Sequence, residues 1–156
     1  MKTGDHPGRE ASGVHLWLLL WKAGKAVEAE ARRSVESTGL GLSDFGVLEA
    51  LLHKGPLPVN TLGKKVLLTS GSMTAAVDRL EKNGLVERGL DRSDRRTRIV
   101  HLTDAGRKLI RKGFSEHERD MERVFSRLDD TERRALAALL RKLGREAGAP
   151  GDGDRL

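Results

Sequence analysis

Apolar residues recur at intervals of three and four over most of the chain, a pattern that predicts a mainly α-helical protein. The first predicted helix covers residues 10–37 and ends where Gly39 and Gly41 break the pattern. Its early part, the run "LWLLLW", is apolar on every side. Such a helix must be covered on every side. A chain of 156 residues has few layers of secondary structure that could pack around it. The pattern therefore predicts that the chain dimerises through this end.

Three shorter helices follow, and the last two are separated by a tight break. Ser43 is predicted to open the first of them, and Gly55-Pro56 to close it. Its expected inward residues are Phe45, Leu48 and either Leu51 or Leu52. Those of the other two helices are Val59, Leu62 and Val66, then Met73, Ala76, Val77 and Leu80. Thr69 is the candidate N-cap of the last helix, which Asn83-Gly84 ends. Two short helices joined by a tight turn predict a helix-turn-helix.

Two β-like runs, "LVERGL" and "TRIVHL", come next, and the charged tip "DRSDRR" joins them as a hairpin. A helix-turn-helix followed directly by a basic hairpin predicts a winged helix, with the hairpin as the wing. The predicted fold class is mainly α with a small β-hairpin wing (α+β). It comprises a winged helix-turn-helix DNA-binding domain at 43–103 and a helical dimerisation region at 10–37 and 104–146. Residues 1–9 are predicted to form a disordered N-terminal tail, and 147–156 a flexible C-terminal tail.

The C-terminal third supports a dimer independently. Thr103 is expected to cap a long helix over residues 104–128, and Asp129 with Glu132 resembles a capping box for a last helix. The long helix carries a nearly heptad seam of Ile110, Phe114, His117, Met121, Val124 and Leu128. The last helix carries Leu136, Leu139, Leu140 and Leu143. Two amphipathic helices at the end of a small domain favour a partner chain.

Positive charge is concentrated in one stretch. The net charge is +6, and residues 84–112 hold nine basic and four acidic side chains. A local basic field attracts phosphate backbones, although a solvated arginine-rich surface would have the same composition. Cysteine is absent, which fits a reducing compartment, and the longest apolar run, Leu16 to Trp21, is too short to span a bilayer. We therefore expect a cytoplasmic protein with double-stranded DNA as its partner and no membrane contact.

The helix after the tight break would enter the major groove with the side opposite its apolar residues. The expected DNA-binding residues there are Ser70, Gly71, Ser72, Thr74, Ala75 and Arg79, with Asp78 and Lys82 also outside. Small residues let a helix N-terminus approach a groove and donate to phosphates and base edges. An ordinary capped surface helix is the alternative. In the wing, the expected DNA-binding residues are Arg92, Asp94, Arg95, Arg96 and Arg98. Arginine suits the narrow minor groove, and aspartates would hold the arginines in position.

The stretch "LTSGSMTAAVDRLEKNGLVERGLDRSDRRTRIVHLTDAGRKLI" resembles the DNA-binding core of the MarR family of bacterial transcriptional regulators. The resemblance rests on "T..VDRLE..GLV.R", on the wing "D..DRR" and on the following "V.LT..G". It implies a dimeric winged-helix repressor or activator that binds a pseudo-palindrome and is usually released by a small, often aromatic or phenolic, ligand. It also implies that Arg95 or Arg96 carries the minor-groove contact and that Asp94 helps to position it.

The resemblance further implies an effector pocket between the dimerisation region and the winged domain, bounded by the first, second and fifth helices. The candidate ligand-binding residues are Trp17, Trp21, Lys25, Phe45 and His53. The tryptophan pair would stack on a planar ligand, while Lys25 or His53 pairs with its anionic group. Core packing of both tryptophans is the alternative.

Catalytic and metal-binding constellations are missing from the sequence. The five histidines are scattered, and there is no HExxH motif, cysteine or glycine-rich phosphate loop. Glu116 and Asp120 on either side of His117 could hold a metal weakly, but a solvated helical face is the better interpretation. We expect a ligand-responsive, sequence-specific repressor that acts as a homodimer, without enzymatic activity, cofactor or metal. The alternative is a non-catalytic winged-helix module that binds protein or RNA.

Overall fold

The computed structural model describes residues 12–66, 70–90 and 98–147. In chain order its elements are α1 (Gly13–Val35), a 3₁₀ turn (Glu36–Thr38), α2 (Leu42–Lys54), β1 (Leu57–Pro58), α3 (Val59–Val66), α4 (Ser70–Lys82), β2 (Val86–Leu90), β3 (Arg98–Leu102), α5 (Asp104–Val124) and α6 (Asp130–Ala147). The three strands form one antiparallel sheet in the order β1-β3-β2. The predicted fold class, mainly α with a small β-hairpin wing, is confirmed.

The hydrophobic core lies between α2, α3, α4, the sheet and the first half of α5. Its buried apolar residues are Val35, Phe45, Val47, Leu48, Leu51, Leu62, Met73, Ala76, Val77, Leu80, Val86, Val100 and Ile110. Every position predicted for the inward side of α4 belongs to this set. In α2, Leu51 is buried and Leu52 packs only partly against the core. The helical spacing of apolar residues therefore predicts the buried side of α4 correctly, whereas Val59 and Val66 of α3 pack only partly against the core.

Helix boundaries differ from the predicted ones by a few residues. α1 begins at Gly13, because the Ser12 side chain accepts a hydrogen bond from the His15 amide at 3.2 Å and caps the helix. The prediction that Ser43 opens α2 is wrong by one residue: α2 begins at Leu42, and the extended backbone of Gly41 forms the N-cap. The predicted tails at 1–9 and 148–156 and the candidate cap Thr69 lie outside the described residues, and α6 includes residue 147.

α5 ends at Val124 rather than at the predicted residue 128, because the chain turns tightly there. The Leu128 amide donates to the Phe125 carbonyl at 3.1 Å within this turn. Arg133 of α6 reaches back and donates to the carbonyl oxygens of Phe125 at 3.0 Å and Leu128 at 3.2 Å, and it pairs with Glu122 at 2.6 Å. One side chain therefore holds the α5–α6 turn.

The predicted capping box of α6 is confirmed. The Glu132 amide donates to Oδ1 of Asp129, and the Asp129 amide donates to Oε2 of Glu132, both at 2.9 Å. Two otherwise unpaired amides at the helix start are thereby satisfied.

The short strand β1 is absent from the sequence prediction. Leu57 pairs with Val100 and Pro58 with Ile99 of β3. A strand of two residues has no alternating pattern, and its partner lies far along the chain, so local spacing cannot reveal it. The pairing fastens the α2–α3 connection to the base of the wing.

Close contacts at glycines join α5 to the rest of the chain. A Cβ atom at Gly106 would collide with the backbone carbonyl of Leu85, and one at Gly113 would lie 2.5 Å from Cγ2 of Thr38. Thr103 caps α5, as predicted, by accepting a hydrogen bond from the Gly106 amide at 3.0 Å, and it donates to the Gly84 carbonyl at 2.7 Å. The start of α5 is thereby fastened to the turn that follows α4.

The N-terminal half of α1 is uncovered in the single chain. Apolar side chains that are 37–70% exposed there are Val14, Leu16, Trp17, Leu18, Leu19, Leu20 and Trp21, and three more on α6 are Leu139, Leu140 and Leu143. Within α1, Ser34 and Val35 near its end are the buried residues. Among the described residues, no helix is both long enough and apolar enough to cross a membrane.

The predicted seam of α5 is used partly inside the chain. Ile110 is buried in the core, and Phe114 packs against it. The ring of His117 lies 5.2 Å from that of Phe45, measured between centroids. The first half of the seam therefore faces the chain's own α2, and a partner chain would have to use other surfaces there.

Candidate DNA-binding interface

α4 has a fully buried side and an exposed side of small residues. Met73, Ala76, Val77 and Leu80 anchor it in the core. Gly71, Ser72, Thr74 and Ala75 are exposed near its start, where Ser70 is the first residue. A Cβ atom at Gly71 would meet no described atom within 4 Å. α4 is therefore anchored in the core on one side, and among the described residues no atom crowds Gly71 on the other.

Arg79, predicted to contact DNA, is bound to α2. Its Nε and one terminal nitrogen donate to the carboxylate of Asp44 at 3.1 and 2.6 Å. The side chain of Asp44 is 12% exposed and that of Arg79 is 54% exposed. Hydrogen bonding to Asp44, followed by the charge of that carboxylate, raises the pKa of Arg79 above its usual value. Contact between Arg79 and DNA remains a prediction, and it would have to use the edge of the guanidinium that Asp44 leaves open.

A second arginine, Arg88 of β2, binds two carboxylates of α4. Its terminal nitrogens donate to Asp78 and Glu81, and its backbone amide donates to Oε1 of Glu81 at 3.1 Å. Partial burial lowers the pKa of Arg88, but the hydrogen bonds and charges of the two carboxylates outweigh this effect and raise it overall. This ion-pair cluster ties α4 to the first strand of the wing.

The wing strands pair in a continuous antiparallel register. Val86 lies opposite Leu102, and Leu90 lies opposite Arg98 at the last pair before the tip. Arg98 is exposed, and its contact with DNA remains a prediction. The other expected wing residues, Arg92, Asp94, Arg95 and Arg96, lie outside the described residues.

The basic stretch of the sequence is divided between two surfaces. Arg98 belongs to the wing, whereas the exposed residues Arg107, Lys108, Arg111 and Lys112 belong to the first half of α5. Arg88 is held by two carboxylates. The charge count along the sequence therefore overstates the positive charge of the wing itself.

The candidate effector residues form two separate groups. Trp17 and Trp21 are 61% and 54% exposed, with ring centroids 6.3 Å apart and planes at 12°, so they do not pack in the core of the chain. Lys25, also on α1, pairs with Glu28 at 3.4 Å. Phe45 is buried, and the ring of His53 meets that of Phe114 edge-on at 4.6 Å. Among the described contacts, none joins the α1 group to the α2 group.

A polar cleft of about 530 Å³ lies between the end of α1 and α5. Its lining residues are Arg33, Ser34, Ser37, Glu116, Arg119, Asp120 and Arg123. None of the five candidate effector residues is among them. The sequence pattern gives no sign of this cleft, because its two sides come from helices that are distant along the chain.

The residues around His117 bind three different partners. Glu116 accepts a hydrogen bond from Ser37 at 2.9 Å, and Asp120 pairs with Arg123. Nδ1 of His117 lies 2.5 Å from Oγ of Ser34, which is buried. Within the described part of the chain, no group of three or more His, Cys, Asp or Glu residues is placed to hold a metal ion.

Comparisons with known proteins agree with this geometry. A family model described as the MarR family matches residues 38–97. The uncharacterized HTH-type transcriptional regulator YkoM of Bacillus subtilis (strain 168) is 34% identical over 131 residues, which cover 84% of this chain and 85% of YkoM.

Solved structures of transcriptional regulators also share the fold. Sco3205 of Streptomyces coelicolor, a MarR family transcriptional regulator in complex with DNA, matches with a TM-score of 0.81 and 26% identity, covering 90% of this chain and 94% of that one. BpsR of Bordetella bronchiseptica, whose DNA binding is regulated by 6-hydroxynicotinic acid, matches with a TM-score of 0.76 and 26% identity, covering 90% and 98%. The chain therefore belongs to the MarR family of winged-helix, DNA-binding transcriptional regulators, which are not enzymes.

Proposed function

We propose that this regulator is a homodimeric repressor that binds a pseudo-palindromic operator and is released by a small aromatic or phenolic effector. α4 enters the major groove with the residues around Gly71, and the wing arginines reach the backbone and the adjacent minor groove. The observation that carries the proposal is the two-sided α4, fully buried on one side and lined with small exposed residues on the other. Its site of action is the cytoplasm, where its operator lies.

The homodimer is supported by the uncovered apolar residues of α1 and α6. Exposed leucines and tryptophans on one helix end exceed what an isolated soluble chain normally leaves in water. A second copy offers matching apolar surface, since a two-fold interface pairs each patch with its counterpart. In such a dimer the two recognition helices would lie about 34 Å apart, one turn of DNA.

The repressor proposal predicts a salt-dependent and sequence-selective affinity for DNA. Neutralising about eight phosphates per dimer should lower the affinity on the order of a thousandfold or more between about 50 and 200 mM salt. Fluorescence anisotropy with the duplex upstream of the regulator's own gene measures this slope. A scrambled duplex of equal composition is the control and should bind more weakly at every salt concentration.

Two results would contradict the repressor. Equal affinity for the native and scrambled duplexes would mean that the native duplex contains no operator. Tighter binding to RNA or to a protein would favour the alternative, an interaction module. Transcription that rises instead of falling when the regulator is added to its own promoter would make it an activator.

The effector proposal can be followed through the two tryptophans of the chain, Trp17 and Trp21, because no tyrosine is present. The DNA binding of BpsR is regulated by an aromatic acid, 6-hydroxynicotinic acid, which serves here as the probe. We expect this acid or benzoate to quench tryptophan fluorescence and to release the duplex at the same concentrations. Trp21→Phe should weaken the probe's effect, whereas acetate, which has no ring, is the control. Quenching without DNA release would contradict the proposed effector response.

A further inference from the structure

Acidic side chains lie on the same side of α4 as the proposed DNA contacts. Asp78 follows Thr74 by one helical turn, and Glu81 follows Asp78 by one more. The two carboxylates are 59% and 40% exposed. Phosphates repel carboxylates, so Asp78 and Glu81 would by themselves oppose the approach of DNA.

One guanidinium pairs with both carboxylates and offsets half of their combined charge. The two terminal nitrogens of Arg88 donate separately to Asp78 and Glu81. The side chain of Arg88 is only 21% exposed, which leaves it little surface for a ligand of its own. Asp44 holds the neighbouring Arg79, so among the described residues Arg88 is the cation that pairs with Asp78 and Glu81.

The same contacts fix the position of the wing relative to α4. β2 is an edge strand of the sheet, and its Arg88 amide donates to Oε1 of Glu81 at 3.1 Å instead of to another strand. Both the main chain and the side chain of Arg88 are therefore bound to α4. The hairpin that begins with β2 cannot rotate away from the recognition helix without breaking these bonds.

We propose that Arg88 is a positioning residue for DNA binding: it offsets part of the negative charge of Asp78 and Glu81 on the recognition helix and sets the wing against that helix, without touching DNA itself. This inference rests on the proposed use of α4 as the DNA-reading helix. It predicts that loss of Arg88 weakens DNA binding because the two carboxylates are then unpaired, and that removing the charges of these carboxylates restores binding.

A double-mutant cycle tests the coupling. Arg88→Gln should weaken binding to a mixed-sequence DNA duplex about tenfold at low salt, with a smaller loss at high salt because the repulsion is screened. Adding Asp78→Asn and Glu81→Gln to this variant should recover most of the lost affinity, and the same pair of changes should gain much less in the wild-type chain. Melting temperatures measured alongside confirm that every variant is folded.

Lys82→Gln is the matched control, because it removes one positive charge from the same helix outside this cluster. The two amide substitutions should gain no more in this background than in the wild type. If Arg88→Gln fails to fold, Arg88→Lys keeps the charge but cannot bind both carboxylates as a fork, and its smaller loss should be recovered in the same way.

Equal gains in the Arg88→Gln and wild-type backgrounds would overturn the proposal, as would a loss that is independent of salt. Absence of binding by the wild-type chain would instead refute the DNA-reading role of α4, and with it this inference, so the two failures are distinguishable.

Discussion

Arginine residues that look equivalent in the sequence have different surroundings in the structure. Arg79 binds Asp44 of α2, and Arg88 of β2 binds two carboxylates of α4. Arg95 and Arg96 are proposed to contact DNA from the wing. Composition and charge counts cannot separate these roles, because the separating contacts join residues that are distant along the chain.

The wing arginines and Arg79 should respond differently to truncation. Arg95→Ala and Arg96→Ala should each lower the affinity for DNA about tenfold and reduce the salt slope by about one, with an unchanged melting temperature. Arg79→Ala should lower the melting temperature, because the largely buried Asp44 loses both of its hydrogen bonds. Anisotropy and thermal melts of the same samples measure both effects. A lowered melting temperature in the wing variants would mean that those arginines are structural.

At the scale of the elements, α5 connects the winged domain to the helices proposed for dimerisation. Its first turn contacts the winged domain. A methyl group at Gly106 would collide with the Leu85 carbonyl. We therefore expect Gly106→Ala to lower the free energy of unfolding by about 1–3 kcal/mol, as measured by urea denaturation.

Gly71→Ala is the matched control for the Gly106→Ala substitution. It makes the same change in a helix, at a position with no described neighbour within 4 Å. The gain in helix propensity should raise the stability by up to about 1 kcal/mol. Equal stability of the Gly106→Ala variant and the wild type would show that the close contact between Gly106 and Leu85 can relax.

The sequence predicts those parts of the fold and the site that depend on near neighbours. The inward side of α4, the hairpin and the capping box of Asp129 and Glu132 each follow from residues within a few positions of one another. The bond between Ser34 and His117, 83 residues apart, and the pair of Asp44 and Arg79, 35 residues apart, depend on how helices pack. Spacing along one chain carries no information about these contacts, nor about β1.

At the scale of the whole molecule, the exposed apolar end of α1 predicts a dimer. Light scattering should give twice the chain mass of 17.1 kDa. Replacing Trp17 and Trp21 together by Arg should shift the mass to that of one chain, because a charge on each ring position would be buried unpaired in the interface.

Leu90 provides the control for this experiment, since it is an apolar residue next to the wing tip that is 53% exposed. Leu90→Arg should leave the dimer intact. Dissociation by Leu90→Arg, or a dimer that survives both tryptophan changes, would place the interface elsewhere.

The turn that Arg133 holds has a consequence for the rate and strength of assembly. Because its contacts with Phe125, Leu128 and Glu122 fix the direction of α6 in the free chain, little conformational entropy would be lost when two chains form the proposed dimer. The leucines of α6 would thus be preorganised for docking. Arg133→Ala should slow association and weaken it, although no atom of Arg133 need lie in the interface.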